Sequence, residues 1–568
     1  MKVNINKKDM WHFLLIAVLV TSFWANLSVT TQEELVFGDE GYYASMSQGF
    51  AENLDIRYRT VFGETDLVGK EYHTREPMTF LMLGSFYMLF GEMGMKILIP
   101  MVSVVSALFL FLLVKKMHSV EAGVLSALLY LAVPAIVTHT VFVYVEHIAL
   151  MFLIGSFYFL YSYIKDEDFL HLIFTGVLFG FSILTAQNVI IVPIIFAVVL
   201  LLYKVSWEGW AKEFGTLVLI TLVMMAPWMA HNYRVGNGLG FDTHRVLEPL
   251  GLDLREPSQD YTEQLPDIET DGFEQRMVER QAIHQRGYLE FINFAYTIPI
   301  FVLAMLGFSF YLVKKNKKYT IPLLWALVMF AVIYALLWDR NIDMVSRNLL
   351  YAIPPLVTAG GYASKKVYDY LNSFEATGKM LGILFIVILV GWSLFTIAAK
   401  AESLRPQKQF SQPFFETCDW VRENTPEDSI LHYVYGYRSD YHCQRKTVRN
   451  FFPGMENAMV SADDTTYETY KAIGVDYIIL HSRLIDMEQR RETYSFDFIQ
   501  HVMFGPQYEQ VYSYPDGCNV MDMQQDCVAV FEVLDEDEAE EPDMEEGITI
   551  DPEDLEGEGE EEAQIELG

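Results

Sequence analysis

Two carboxylates stand side by side at Asp39 and Glu40, in the segment Phe37-Gly38-Asp39-Glu40-Gly41-Tyr42-Tyr43 that follows the first long apolar run. A carboxylate there can take the proton of an acceptor hydroxyl as its oxygen attacks the anomeric carbon of a sugar, the general-base role. The same pair can instead cap a helix of residues 41 to 53, because acidic side chains are favoured at helix N-termini. Glu146 and His147 open a later apolar run. Consecutive residues point to different faces of a helix, so at most one of these two is expected to line a cavity shared with the first pair. Cationic groups suited to a phosphate are His73, Arg75, Arg234, Arg245 and Arg347. Arg347 stands just before an apolar run and is equally suited to snorkel toward headgroups. His73, His139, His147, His231, His244 and His284 are the histidines a metal could use, yet none has a second His at i, i+4. No metal ligand is therefore assigned and no cofactor is required, although a divalent metal remains compatible with the residue types.

What must position these groups is a set of membrane helices. The 568 residues are 52% hydrophobic and 14% aromatic, with a mean hydropathy of +0.20, too apolar for a soluble chain of this length. Apolar runs of about 17 to 22 residues, enough to cross roughly 30 Å of hydrocarbon, lie near 11–29, 94–114, 120–139, 146–164, 169–186, 188–203, 213–231, 291–313, 320–338, 347–363 and 380–399. The first follows Lys2, Lys7 and Lys8 without a small-residue cleavage site and reads as a retained anchor. Lysines then occupy every second loop: Lys115/Lys116, Lys165, Lys204/Lys212, Lys314/Lys315/Lys317/Lys318 and Lys365/Lys366/Lys379. They define one cytoplasmic face. Eleven spans then leave the N-terminus inside and everything after about residue 400 outside, as expected of a multi-pass cell-membrane protein. Pro77 to Phe90 is apolar but too short to span, and counting it would invert every later loop. It is placed as a juxtamembrane helix on the outer surface.

Residues 401–534 alternate short helical and strand patterns and read as an extracytoplasmic α/β domain. Strands are expected at Asp428–Tyr433, Val475–Leu480 and Cys527–Val533, and a helix at Thr466–Ile473 ended by Gly474. No nucleophile or metal motif is visible in it. Cys418, Cys443, Cys518 and Cys527 all fall here, where an oxidising compartment favours disulfides, although three pairings are open. Residues 535–568 carry 18 acidic residues and no Lys or Arg, so −16 of the net charge of −34 belongs to the rest. That tail lacks core-forming residues and reads as a solvated, disordered extension. A nucleic-acid partner is disfavoured, since no basic cluster exceeds the four lysines at 314–318.

The order of these motifs resembles the GT-C fold of polyprenyl-phosphate-dependent glycosyltransferases, above all the protein O-mannosyltransferase and lipid A aminoarabinose transferase group. The resemblance covers most of the first 400 residues, a transmembrane GT-C-like domain over 1–400. It rests on Gly38-Asp39-Glu40-Gly41-Tyr42-Tyr43, His73-Thr74-Arg75-Glu76-Pro77-Met78, Glu146, Leu184-Thr185-Ala186-Gln187, Pro227-Trp228-Met229-Ala230-His231-Asn232-Tyr233 with Gly236, and Arg347 through Pro355. The resemblance implies that Asp39 is the catalytic base, with Glu40 beside it and Glu146 as helper. It also implies a polyprenyl-phosphate-linked sugar as donor, held by Arg75, Arg347, His73 and Arg234. The family often has Lys-Pro-Pro where this chain has Glu76-Pro77-Met78, and Lys where it has Ala186. Those losses shift weight onto the arginines. Trp420 through Asp428 also resembles the start of the soluble domain of oligosaccharyltransferase. His432-Tyr433-Val434-Tyr435-Gly436 replaces that enzyme's Trp-Trp-Asp-Tyr-Gly, which argues against transfer of whole oligosaccharides to Asn sequons.

The expectation is therefore an inverting membrane glycosyltransferase. It would move a single hexose such as mannose from a polyprenyl or dolichyl phosphate to a protein or lipid acceptor on the outer face. The alternatives are a lipid or sugar transporter or flippase, which would place ionisable residues near span centres, an oligosaccharyltransferase-like relative, and a degenerate relative acting as a structural partner.

Overall fold

A computed structural model of the chain describes residues 7–31, 40–54, 77–204, 206–234, 297–314, 316–337, 349–374, 376–408, 411–433, 436–448, 464–484, 496–522 and 525–535. Each of the eleven expected apolar stretches carries a helix. In chain order the helices are α1 (Lys7–Thr30), α2 (Glu40–Asn53), α3 (Pro77–Phe90), α4 (Glu92–Met117), α5 (Val120–Leu131), α6 (Pro134–Val141), α7 (Val145–Asp166) and α8 (Phe169–Ile183). They continue with α9 (Val192–Tyr203), α10 (Trp207–Arg234), α11 (Ile298–Lys314), α12 (Thr320–Leu337), α13 (Ile353–Asn372) and α14 (Ala376–Lys408). Among the described residues five helices are by themselves long and apolar enough to cross a membrane, or six if the bent pair α5–α6 forms one span.

The bent pair covers the span expected at 120–139, but not as one continuous helix. The two helices meet at 62°, and Pro134 takes the first turn of α6. Proline has no N–H for the ladder and is at home only at a helix start, so the chain breaks there. Likewise α13 opens at Ile353, with Pro354 and Pro355 in its first turn, and runs on to Asn372, further than the apolar run alone indicates.

The bundle has two distinguishable ends. α4 is 26 residues long, about 39 Å, and packs alongside α7 in the same direction. At their C-terminal ends Lys116 pairs with Asp166 at 2.5 Å. Lys204 pairs with Glu213 at 2.9 Å, Lys317 donates to Leu202 O at 3.1 Å, and Lys318 donates to Met117 O at 3.1 Å. The lysines that the loop pattern groups together do gather at one end. The acidic candidates lie at the other, where α4 and α7 begin.

After α14 come α15 (Gln412–Asn424), β1 (Ile430–His432), α16 (Gly436–Cys443), β2 (Lys446–Val448), α17 (Asp464–Ile473), β3 (Tyr477–His481), α18 (Phe496–Phe504), β4 (Tyr508–Tyr514) and β5 (Val528–Val533). The sheet order is β2-β1-β3-β5-β4. β1 pairs in parallel with β2 and β3, and β5 pairs antiparallel with β3 and β4. This is the expected α/β domain. Its buried core includes Leu431, Ile478, Ile479, Val528 and Val530, with Phe414 and Val421 of α15 packed onto the sheet. The open cysteine pairing resolves as Cys418–Cys443 and Cys518–Cys527. The acidic tail from 536 on lies outside the described residues.

Candidate active site

α2 begins at Glu40, and its next eight residues, Gly41 to Gln48, are also buried. A helix this polar, Glu-Gly-Tyr-Tyr-Ala-Ser-Met-Ser-Gln, hides its surface only because it is covered from several sides. Tyr42 and Tyr43 lie against Phe80 of α3, with ring centroids 5.8 and 6.2 Å away. They share an apolar cluster with Met95, Leu98, Ile99 and Val102 of α4 and with Val143, Val145 and Ile148 around the start of α7. The α2–α3 approach is close enough that a Cβ on Gly84 would sit 2.6 Å from Phe50 Cδ1 and 2.8 Å from Ser47 O. α3 passes to α4 through the single residue Gly91, whose φ of +62° suits only glycine comfortably. Any larger residue at either position would move α3 and, with it, the floor under α2.

The Glu40 carboxylate is fully buried, and its Oε1 accepts the backbone N–H of Val143 at 2.7 Å. Val143 lies in the short link between α6 and α7, where no helical ladder satisfies that donor. The link leads directly to Glu146, in the first turn of α7 and 5% exposed, and to His147, which is wholly buried. The first-loop acid and the α7 acid thus belong to one locality. α3 is tied in as well: Met78 N–H donates to Leu184 O at 2.9 Å, bringing the Pro77-Met78 and Leu184–Gln187 segments together. α7 also packs on the turn Leu350–Ala352, just beyond Arg347. Among the described residues no group of three or more His, Cys, Asp or Glu could hold a metal ion.

The sheet domain reaches into the same locality. Its α16 packs on α2, Ser45 donates to Asp440 Oδ2 at 2.6 Å, and Tyr441 donates to Glu92 Oε2 at 2.9 Å. Glu92 in turn holds Lys96 at 2.5 Å. The Cys418–Cys443 disulfide ties the end of α16 to α15.

Residues 73–231 match the model of a family described as dolichyl-phosphate-mannose-protein mannosyltransferase. No curated protein sequence matches. Among solved structures, the oligosaccharyltransferase AglB from Archaeoglobus fulgidus, in complex with an inhibitory peptide and a dolichol-phosphate, superposes with a TM-score of 0.60 at 12% identity, over 90% of this chain and 74% of that one. Its complex with Zn and sulfate gives a TM-score of 0.58 at 14% identity, over 88% and 72% of the two chains. ArnT from Cupriavidus metallidurans, bound to undecaprenyl phosphate, superposes with a TM-score of 0.59 at 14% identity, over 92% of this chain and 97% of that one. This chain has the GT-C glycosyltransferase fold. It is a membrane protein of that class, and the enzyme class expected from the sequence agrees with the matched family.

Of the expected site residues, the GT-C fold brings Glu40 and the Glu146 helix into one locality. Arg234 ends α10 and is exposed. Asp39, His73, Arg75 and Arg347 lie outside the described residues, although Asp39 is the chain neighbour of Glu40. Asp440, Tyr441, Glu92 and Val143 went unnoticed in the sequence. Only Glu92 carried a signal, an i, i+4 pairing with Lys96 at the head of an apolar run.

Proposed function

We propose that this protein is an inverting glycosyltransferase moving a single hexose, such as mannose, from a polyprenyl or dolichyl phosphate to a hydroxyl of a protein or lipid acceptor. The acceptor oxygen attacks the anomeric carbon from the face opposite the phosphate and the C1–O(phosphate) bond breaks. The lipid phosphate then departs and the hydroxyl proton passes to Asp39. Glu40 fixes the start of α2, and Glu146 assists at the acceptor. Arg75, Arg347, His73 and Arg234 are the proposed partners of the donor phosphate. The reading gives no task to a metal. The reaction is assigned to the extracytoplasmic face of the cell membrane, with the N-terminus in the cytoplasm.

The observation that carries this reading is the bond from Val143 N–H to Glu40, which joins Glu40, the chain neighbour of Asp39, to the helix of Glu146. Two kinds of support stand beside it. AglB and ArnT, which share the fold, have been solved with dolichol-phosphate and undecaprenyl phosphate. This chain also spans 97% of ArnT but 74% of AglB, so it matches ArnT over nearly that protein's whole length. The test is to incubate membranes containing the protein with radiolabelled polyprenyl-phosphate hexoses and to follow label into protein and lipid fractions. Label is expected to leave the donor for an acceptor only when the protein is present. A protein-independent background, or transfer only from a lipid-linked oligosaccharide, would overturn the reading.

A further inference from the structure

The lysine end of the bundle, opposite the candidate active site, holds a group that the transfer reaction does not use. His118, in the link between α4 and α5, stacks on Tyr362 at 4.4 Å and on Tyr319 at 5.5 Å, and Tyr311 stacks on Tyr319 at 4.5 Å. The three tyrosines are buried and come from α11, from the turn before α12 and from α13. Two ammonium groups lie against this box, and the charge of a third, Lys314, reaches His118. Lys318 Nζ lies 5.2 Å from the Tyr319 ring centre and Lys366 Nζ 5.6 Å from that of Tyr362, while Lys314 ends α11. Among the described residues no carboxylate pairs with any of the three, whereas the neighbouring Lys116 and Lys365 are matched by Asp166 and Asp369.

Three like charges gathered by separate elements repel one another, and aromatic faces offset only part of that cost. His118 adds no fourth charge. Burial first, then Lys318, Lys366 and Lys314, lower its pKa to about 3, so it is neutral. Among the described residues no acidic side chain offsets the charge of the cluster. Two apolar side chains stand just before Lys314: Leu312 and Val313 are 65% and 80% exposed, as suits contact with acyl chains rather than water.

We propose that Lys314, Lys318 and Lys366, set around the tyrosine box, form a binding site for the phosphate of an anionic phospholipid headgroup. The ammonium groups supply the charge, and the exposed Leu312 and Val313 lie where the lipid's chains would run. A basic group near a membrane surface contributes about 1 kcal/mol toward anionic lipid, roughly a fivefold change in affinity.

The test uses the full-length protein in zwitterionic detergent micelles and follows its thermal unfolding as phosphatidylglycerol, phosphatidylcholine or inorganic phosphate is titrated in. Phosphatidylglycerol should raise the unfolding temperature saturably and phosphatidylcholine should not. The triple change Lys314→Gln, Lys318→Gln and Lys366→Gln should weaken the phosphatidylglycerol response by about a hundredfold, while Lys317→Gln, outside the box, should leave it intact. If the triple variant does not fold, Lys314→Gln alone, at an exposed helix end, should weaken it about fivefold. An equal response to the two lipids, or one untouched by these changes, would overturn the site. An equal response to inorganic phosphate would overturn the lipid as its occupant.

Discussion

Glu40 and Asp39 are adjacent in the chain, and the roles proposed for them predict different outcomes. The Glu40 carboxylate receives the N–H of Val143 at 2.7 Å in a place where Glu40 is 0% and Val143 2% exposed. Glu40→Gln keeps an oxygen able to accept that N–H. The change replaces a charge-assisted bond by a neutral one, a difference of about 1 kcal/mol. Glu40→Ala leaves the Val143 donor buried without this acceptor, at a cost of about 1–3 kcal/mol, and opens a void besides. That energy can appear as lower stability or as a displaced start of α2. If all of it reached the transition state, the rate would fall by about fivefold to a hundred-and-fiftyfold. Asp39→Asn is different in kind. It should leave stability and donor binding nearly native and slow transfer by about a hundred- to ten-thousandfold. The assays are thermal unfolding of the purified protein, binding of the lipid-phosphate donor, and initial rates of hexose transfer. The tether reasoning fails if Glu40→Ala is native in both stability and rate. The assignment of the base fails if Glu40→Gln is as inactive as Asp39→Asn, or if a folded Asp39→Asn transfers at the native rate.

Three further outcomes follow from named contacts. Asp440→Asn retains an acceptor for Ser45 and should be mild, while Asp440→Ala should destabilise by about 1–3 kcal/mol; identical unfolding temperatures for the two would refute the latch between α16 and α2. In the sheet domain, burial alone would raise the pKa of Asp526. Hydrogen bonds from His481 and Ser411, with the charge of Arg483, outweigh it and hold that pKa below the ordinary value. Its contribution is therefore present above about pH 4 and lost as the pH falls through the lower folded value; acid unfolding should flatten in Asp526→Asn, and an unchanged acid limb would refute this. For topology, all four native cysteines are paired, so an impermeant thiol reagent on intact cells should label a cysteine introduced at Ser461 but not one at Asn316. Labelling at 316 would invert the orientation and move the proposed site to the wrong face.

The sequence was most legible where one local signal sufficed. Apolar length located the helices, and lysine spacing grouped loops that the structure does bring together, as Lys318 with Met117 O. Strands β1, β3 and β5 announced themselves as runs such as Tyr477-Ile478-Ile479-Leu480, whereas β2, Lys-Thr-Val, and β4, Tyr-Glu-Gln-Val-Tyr-Ser-Tyr, did not. What stayed hidden was whatever depends on distant partners. Nothing near Glu40 indicates that its oxygen will meet an N–H 103 residues away. Nor does Ser45 advertise Asp440, 395 residues on. The break at Pro134 was visible as a proline but not as a 62° bend, because proline at the first turn of a new helix and proline within a span look alike in one dimension. The non-helical link at 142–144, between α6 and α7, is what exposes an unladdered N–H for Glu40 to hold, and it falls between the expected spans at 120–139 and 146–164. Without that donor the Glu40 carboxylate would cap α2 without this tie to the helix of Glu146.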